Sequence, residues 1–559
     1  MAATKVDPIT TEIIRNSFIS IAEDMNAALI RSAYSWIIYE ALDCAVALID
    51  SDHKVLAHSS GLPLFLGNLE ACVDFTEERF GRDAWQPGDA WVMNDSYIGG
   101  THLNDVTVVS PIFVEGDLAG FAASRAHHMD IGAKDPGGTT DSTEIYQEGM
   151  RLEPIRLVEG GRLREDVVHL MAVNSRLPNQ LVGDLKAQLS VGTIAERRYA
   201  ELLGRYGRET VAAAREAIFN QTEQLDREAV QRIPDGTYEA EGSLDGDGLT
   251  DTPCTVKVRV TVDGDQMLID LSDSGDAAAG PVNCGRSQAI ASCRLAFKRM
   301  INPDQPVNGG SFAPLAVRVR EGSLLAAREP SPCWWYFTPL GLLIDLVTKA
   351  LAPALPERAA GAHYGDSCIT IFAGTDPRSA QFFVDLQAHV GGWGAWRGSD
   401  GESALINAVN SEVKDFPIEV VETKVPMRIN RYAFRQDSGG AGQWRGGCGI
   451  VREYELDTDQ AVLTAWFERS RTPAWGIFDG AAGAPPRITI NPGREDERTL
   501  LKVSALPLSR GDVVRAETGG GGGCGPVAAR DPELVALDVR DGVVSADAAR
   551  EEYGVEVPQ

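Results

Sequence analysis

The chain has 559 residues, 43% of them hydrophobic, and its 52 Lys and Arg against 80 Asp and Glu give a net charge of −28. It has no basic run and no basic-aromatic stripe, so nucleic acid and anionic membranes are poor partners, because affinity for either rests largely on cationic neutralisation. Nine cysteines stand singly, without a Cys-x-x-Cys pair, and no apolar signal region opens the chain, so a soluble cytoplasmic protein with reduced thiols and two or more domains is expected.

After Asp7-Pro8, the three-to-four spacing of Ile14, Phe18, Ile21, Met25 and Leu29 predicts an amphipathic helix whose apolar stripe is core. Cys44 to Ile49 reads as a strand, Asp50 to His53 as a turn and Lys54 to Ala57 as its return. Asp43 then stands at a strand entrance, where its carboxylate needs a partner. Asn68 opens a helix reaching Phe80, and Ala90 to Asn94 is a strand feeding the Gly99-Gly100 turn. The β-branched run Val106 to Val114, the turn Glu115-Gly116-Asp117 and the apolar run Leu118 to Ala126 form a hairpin. A turn centred on Gly116 sets Asp105 opposite His127 on one sheet face, with Cβ atoms about 5 Å apart, and points His128 the other way.

Beyond the hairpin, Asp141-Ser142-Thr143-Glu144 has capping-box spacing, which makes Glu144 a helix cap rather than a catalytic acid. A long helical pattern runs from Thr210 to Val230 and is broken by Arg232-Ile233-Pro234-Asp235-Gly236, which puts a domain boundary near residue 232. From Tyr238 short strands dominate, as in Cys254 to Val262 and Gln266 to Leu271 about an Asp-Gly turn. Two helices, Gln288 to Met300 and Leu340 to Leu351, interrupt them. The most apolar stretch, Leu340 to Leu355, is broken by Asp345 and Lys349, which argues against a membrane span. The expected architecture is α+β, mixed and multi-domain. Residues 1–232 form a metal-site domain of helices and antiparallel hairpins, and residues 233–559 a β-rich C-terminal part.

Three of the eight histidines lie between His102 and His128. His102, Asp105 and His127 offer two imidazoles and a carboxylate, the donor set that holds Zn, Mn or Fe(II) and leaves positions open for water or substrate. The alternative is a polar cluster capping a strand end, with His127 satisfied by backbone carbonyls. Gly519 to Gly523 lacks the Gly-Lys-Ser/Thr that completes a phosphate loop, so it reads as a surface loop. No Gly-x-Ser-x-Gly elbow occurs, and Cys44 reads as a buried structural thiol.

Asn94 to Val109, Arg125 to His128 and Ser142 to Gly149 resemble the N-methylhydantoinase B family, which joins B-type subunits of ATP-dependent hydantoinases, 5-oxoprolinases and lactamases with acetone carboxylase alpha subunits. The similarity continues through Asp437 to Gly442, Arg445 to Gly447 and Gly519 to Tyr553. It implies a divalent metal, Zn or Mn with Fe as a third option, on Asp43, His102, Asp105 and His127, with His128 and Asp130 as neighbours. It also implies an A-type partner subunit that uses ATP with Mg to phosphorylate the amide or ketone oxygen, in a dimer of heterodimers. His102, Asp105 and His127 then serve hydrolysis of a small cyclic amide. A ketone carboxylase delivering bicarbonate-derived CO2 and a non-catalytic scaffold are the alternatives. Two segments depart from the family, Trp36 to Leu42 where arginines are usual and Ala404 to Ala408 where histidines are usual. Both make the pocket more apolar, with Trp334, Trp335, Trp393 and Trp396 available to line it. Glu148 and Arg151 read as surface salt-bridging residues.

Overall fold

The computed structural model describes residues 6–557. Asp7 caps helix α1 (Pro8–Ser32) by accepting from the N–H groups of Ile9 and Thr10 at 3.0 Å, and the five apolar residues of the predicted stripe are buried. The short helix α2 (Trp36–Tyr39) leads into β1 (Cys44–Asp50) and β2 (Val55–His58). The one-turn helix α3 (Pro63–Leu66), α4 (Leu69–Phe80) and β3 (Ala90–Met93) follow, then the hairpin β4 (Asp105–Val114) and β5 (Asp117–His127), and finally β6 (Ile155–Glu159) and β7 (Arg162–Leu163). All seven strands join one antiparallel sheet in the order β2-β1-β5-β4-β3-β6-β7. Asp105 pairs with His127 as the Gly116-centred turn requires, and a bulge between Ile112 and Phe113 shifts the register only near the turn.

One face of this sheet carries helices that the periodicity reading did not anticipate, α5 (Glu165–Val173) and the 29-residue α6 (Pro178–Tyr206), followed by the predicted helix as α7 (Arg208–Val230). Pro178 stands at the first turn of α6, and Leu181, Leu185, Val191, Ala195 and Leu202 are buried along it. The stripe also contains Gly183, Asp184, Gln188 and Gly192, which dilute the apolar signal. Gly192 has a packing reason, since a Cβ there would lie 2.5 Å from Ser110 Oγ on β4. The capping-box expectation fails. A single 3-10 turn, Ile145–Gln147, follows Glu144, which is exposed and makes no cap bond. Gly149 at φ +129° takes the chain out of helical geometry two residues later.

The remaining chain is rich in strands, as expected, and most of them pair antiparallel. Strands β8 (Gly236–Leu244), β9 (Cys254–Asp263), β10 (Gln266–Asp270) and β11 (Leu315–Arg318) form a sheet whose last pair is parallel. The predicted helices appear as α8 (Arg286–Ile301) and α9 (Phe337–Leu351), the latter buried along nearly its whole length. A four-stranded sheet combines β12 (Ile369–Thr375) and β13 (Phe382–Gln387) with segments 461–466 and 502–508, and a five-stranded sheet closes the fold. Among the described residues no helix is long and apolar enough to cross a membrane.

Gly519 to Gly523 is buried, not a surface loop. Its N–H donors turn with a period of three: Gly520 and Gly523 bond the carbonyls of Ala484 and Ala481, Gly521 and Cys524 those of Gly447 and Trp444, and Gly522 that of Ala362. Three residues per turn is the geometry of an extended polyproline-type helix, which is packed here on several sides by other chain segments. Cβ atoms at Gly520, Gly521 and Gly522 would lie 1.7, 1.9 and 2.0 Å from the carbonyl oxygens of Ser438, Trp393 and Trp475. These positions therefore exclude a side chain. The amides that a phosphate would need are occupied by carbonyls.

Candidate metal centre

The centre lies where the middle of the seven-stranded sheet ends. Asp105 opens β4, His127 closes β5 directly opposite it, and Asp43 precedes β1, its carbonyl accepting from His127 N–H at 3.1 Å. Opposed residues share a sheet face, so Asp105, His127 and Asp43 form a row across three strands. His102 comes from the loop after the Gly99-Gly100 turn. A Cβ at Gly100 would lie 2.4 Å from Asp95 O, and the fully buried Arg125 ties the turn down through Gly99 O, with Asn68 Oδ1 at 2.7 Å and Thr107 Oγ1 at 2.8 Å.

His102 Nε2 stands 2.9 Å from Asp105 Oδ1 and 3.0 Å from His127 Nδ1, which is itself 3.0 Å from Asp105 Oδ1. All three residues are buried and group as a possible metal cluster. Ligand atoms about 2.1 Å from one ion and at right angles to one another stand roughly 3 Å apart, so this triangle fits one face of a divalent coordination sphere. Supporting contacts orient the donors. His102 Nδ1 faces the Trp334 carbonyl at 3.1 Å, so Nδ1 carries the proton and Nε2 keeps its lone pair for the centre. Asp105 Oδ2 accepts from the Thr101 hydroxyl and, at 3.3 Å, from Tyr336 Oη, leaving Oδ1 to the histidines. Burial works against ionising Asp105, but the two histidines outweigh it and hold its carboxyl well below the usual range.

Asp43 flanks the triangle without joining it. Its Oδ1 is buried and has no partner among the described residues, and the same is true of His127 Nε2. Burial pushes the Asp43 carboxyl up to about 7, against the pull of His127. His128 points away, as the alternation requires, to Gln188 Oε1 at 3.0 Å, with burial lowering its pKa. Asp130 also turns elsewhere, to Arg176 at 2.7 Å. Cys44 is buried with its thiol pushed up by desolvation, which suits a structural role.

Sequence reasoning missed Thr101, Tyr336 and the real place of Glu148, and offered Trp334 only as pocket lining, without the role of its carbonyl. Glu148 is not a surface residue. It is buried, accepts from the Cys333 and Trp334 N–H groups at 3.0 Å and from Ser142 Oγ at 2.7 Å, and so fixes the segment whose carbonyl holds His102. Burial pushes its carboxyl up to about 8 against those donors. Trp334 and Tyr336 lie more than 200 residues from the histidines, so no local pattern links the Trp334 carbonyl to His102 or the Tyr336 hydroxyl to Asp105. Arg151 does form salt bridges, with Asp95 at 2.9 Å and Glu329 at 3.0 Å.

A cavity of about 30 Å³ adjoins the triangle, room for a water or an ion. Its walls are mostly apolar, with Ile37, Ala41, Leu62, Phe65, Leu386 and Phe416 among them and Asn410 and Lys414 as polar exceptions, and Trp36 stacks on Phe416 at 4.3 Å. The Trp36 to Leu42 segment thus makes the pocket apolar as expected, whereas Ala404 to Ala408 does not reach it. Trp334 packs on His102 at 4.8 Å, but Trp335 stacks on Trp466, and Trp393 and Trp396 lie off the cavity.

A family profile described as Hydantoinase B/oxoprolinase matches residues 7–527. A chain from Pseudomonas sp. (strain NS671), described provisionally as the B-type subunit of a D-/L-hydantoinase, is 31% identical over 574 residues, covering 99% of this chain and 96% of that one. The crystal structure of an ATP-dependent caprolactamase from Pseudomonas jessenii matches with a TM-score of 0.92 at 29% identity, covering 99% of this chain and 97% of the other. A nucleotide-free acetone carboxylase matches with a TM-score of 0.89 at 18% identity, covering 98% of this chain and 79% of that one, a likeness of fold alone.

Proposed function

This chain belongs to the hydantoinase B/oxoprolinase family, and on that premise we propose that it is the metal-dependent B-type subunit of an ATP-dependent cyclic-amide hydrolase. The observation that carries this reading is the 3 Å triangle of His102 Nε2, His127 Nδ1 and Asp105 Oδ1. These three atoms would hold a divalent ion, with Asp43 proposed as a further oxygen donor because its buried Oδ1 lacks a partner among the described residues. When bound, Zn, Mn or Fe(II) supplies Lewis acidity, which acidifies water at neutral pH.

The chain's own residues do the rest. Trp334 O fixes the His102 tautomer, and Thr101 and Tyr336 aim Asp105. The apolar walls exclude bulk water and take the carbon skeleton of the ring. The cavity admits no more than a water or an ion in this conformation, so substrate enters by displacement of a wall. With the Gly520 to Gly523 amides bonded to carbonyls, activation of the ring by ATP falls to an A-type partner subunit. The description of one relative as a B-type hydantoinase subunit supports a hetero-oligomer.

The test is metal content of the wild type, His102→Ala and Asp105→Ala, followed by assay with the A-type partner. One ion per chain, lost in both variants, and ATP-dependent ring opening without bicarbonate are expected. Product formation only with bicarbonate would make the protein a ketone carboxylase subunit. Undiminished turnover by an intact assembly after metal loss would reduce it to a scaffold.

A further inference from the structure

On the far side of α3 from the metal centre lies a larger cavity, about 340 Å³, within the range of small-molecule sites. The four residues of α3 and the one before it divide the two spaces: Leu62 and Phe65 face the metal cavity, and Pro63 and Leu66 face the larger one. Three of the residues that line it each carry a buried side-chain atom without a partner among the described residues: Lys298 Nζ from α8, Glu70 Oε2 from α4 and His58 Nε2 from the end of β2. Arg294 holds the other oxygen of Glu70, reaches Gly67 O at 2.9 Å and lies over the Phe312 ring. Among the lining residues Lys54, Arg294 and Lys298 balance Asp52, Glu70 and Asp74.

Leaving a buried ammonium and a buried carboxylate oxygen unpaired costs several kcal/mol unless something in the cavity completes them. A bare anion would serve Lys298 and leave Glu70 without a donor, and a bare amine would do the reverse. We propose that this cavity is a second ligand site for a small molecule bearing a carboxylate at one end and an N–H group at the other. Its carboxylate meets Lys298 with His58 beside it, its N–H donates to Glu70, and its carbon chain lies along Leu66, Leu295 and Phe312. Hydrolysis of a cyclic amide releases a molecule of this class, so the site would take the ring-opened product, a step that rests on the hydrolase reading. Product bound there would press on α3, whose opposite side carries Phe65 into the metal cavity.

The test is calorimetric titration of the purified full chain, without ATP or the partner subunit. The probe is 6-aminohexanoate, the ω-amino acid formed on opening a seven-membered lactam, with hexanoate and hexylamine as single-pole controls. The zwitterion should bind, and each control should bind at least about tenfold more weakly, as should the zwitterion to Lys298→Met and Glu70→Gln, the worth of one charge-assisted hydrogen bond. Leu295→Trp, which fills the space without touching either charge, should abolish binding, and His102→Ala should leave it unchanged. Absence of binding, equal binding of the single-pole probes, or loss in His102→Ala with retention in Lys298→Met would overturn the proposal. Because the readout needs neither metal nor turnover, its failure leaves the hydrolase reading standing, and the converse holds.

Discussion

Replacing Thr101 by valine tests whether the donor triangle is built for a metal or is a strand-end polar cluster. Valine keeps the shape and removes the hydroxyl donor to Asp105 Oδ2, while Tyr336 Oη remains at 3.3 Å. A hydrogen bond to a charged group is worth about 1.5–3 kcal/mol. With Tyr336 keeping part of the restraint, about 1.5–2.5 kcal/mol of orientation is lost, which is roughly a 10–70-fold fall in affinity. Losses on removing such supporting contacts at metal sites are typically about 10–100-fold. Competition of the purified protein with a chromophoric chelator for Zn or Mn reads the change directly. Thr101→Ser, which keeps the hydroxyl, should restore most of the affinity. Unchanged affinity in Thr101→Val, or a serine variant as weak as the valine one, would refute the argument that Asp105 is aimed by its second oxygen.

Gly521→Ala should destabilise the fold by more than about 4 kcal/mol, because its Cβ would lie 1.9 Å from Trp393 O in a backbone-packed layer that cannot yield. Gly204→Ala, in α6 with open space around the Cβ, should stabilise by about 0.5–1 kcal/mol; denaturant melts of both decide. The Asp74 hydrogen bond at 2.6 Å raises the His53 pKa, with Glu77 adding to it and burial opposing. A raised folded-state pKa gives stability that is fully present below about 6.5 and is lost as pH rises through the folded value. His53→Asn, which tolerates the positive φ at this position, should therefore cost up to about 1 kcal/mol more at pH 5.5 than at pH 9, on top of a pH-independent loss of packing on Phe121. A cost that did not change with pH would contradict the pairing.

Much of the N-terminal architecture was legible because local rules govern it. Asp7-Pro8 and the Ile14 to Leu29 stripe define a helix by cap and period, and the Gly116 turn alone sets the Asp105–His127 register, since an antiparallel ladder has a fixed period of two. Helix α6 escaped because its buried stripe includes Gly, Asp and Gln, whose reasons lie in what they touch: Gly183 packs on the Tyr34 ring, and Asp184 accepts from the Tyr34 and Ser35 N–H groups. Glu144 looked like a cap because a four-residue pattern cannot see that Glu148 is drawn inward by the amides of Cys333 and Trp334.

The sequence by itself determined which candidate donors meet. Residue type, the hairpin period and the spacing of His102, Asp105 and His127 are local properties of a short stretch, and they suffice to bring two imidazoles and a carboxylate to one sheet end. Only the tertiary structure decided which nitrogen of His102 is free, which oxygen of Asp105 faces the centre, and that Asp43 stands beside the triangle. Those depend on Trp334 and Tyr336, more than 200 residues away, and on the neighbouring strand. The same holds for Gly519 to Gly523, where five glycines in sequence fit a loop and a crowded core equally. The carbonyls of Ser438, Trp393 and Trp475, which no local pattern places there, make it a core.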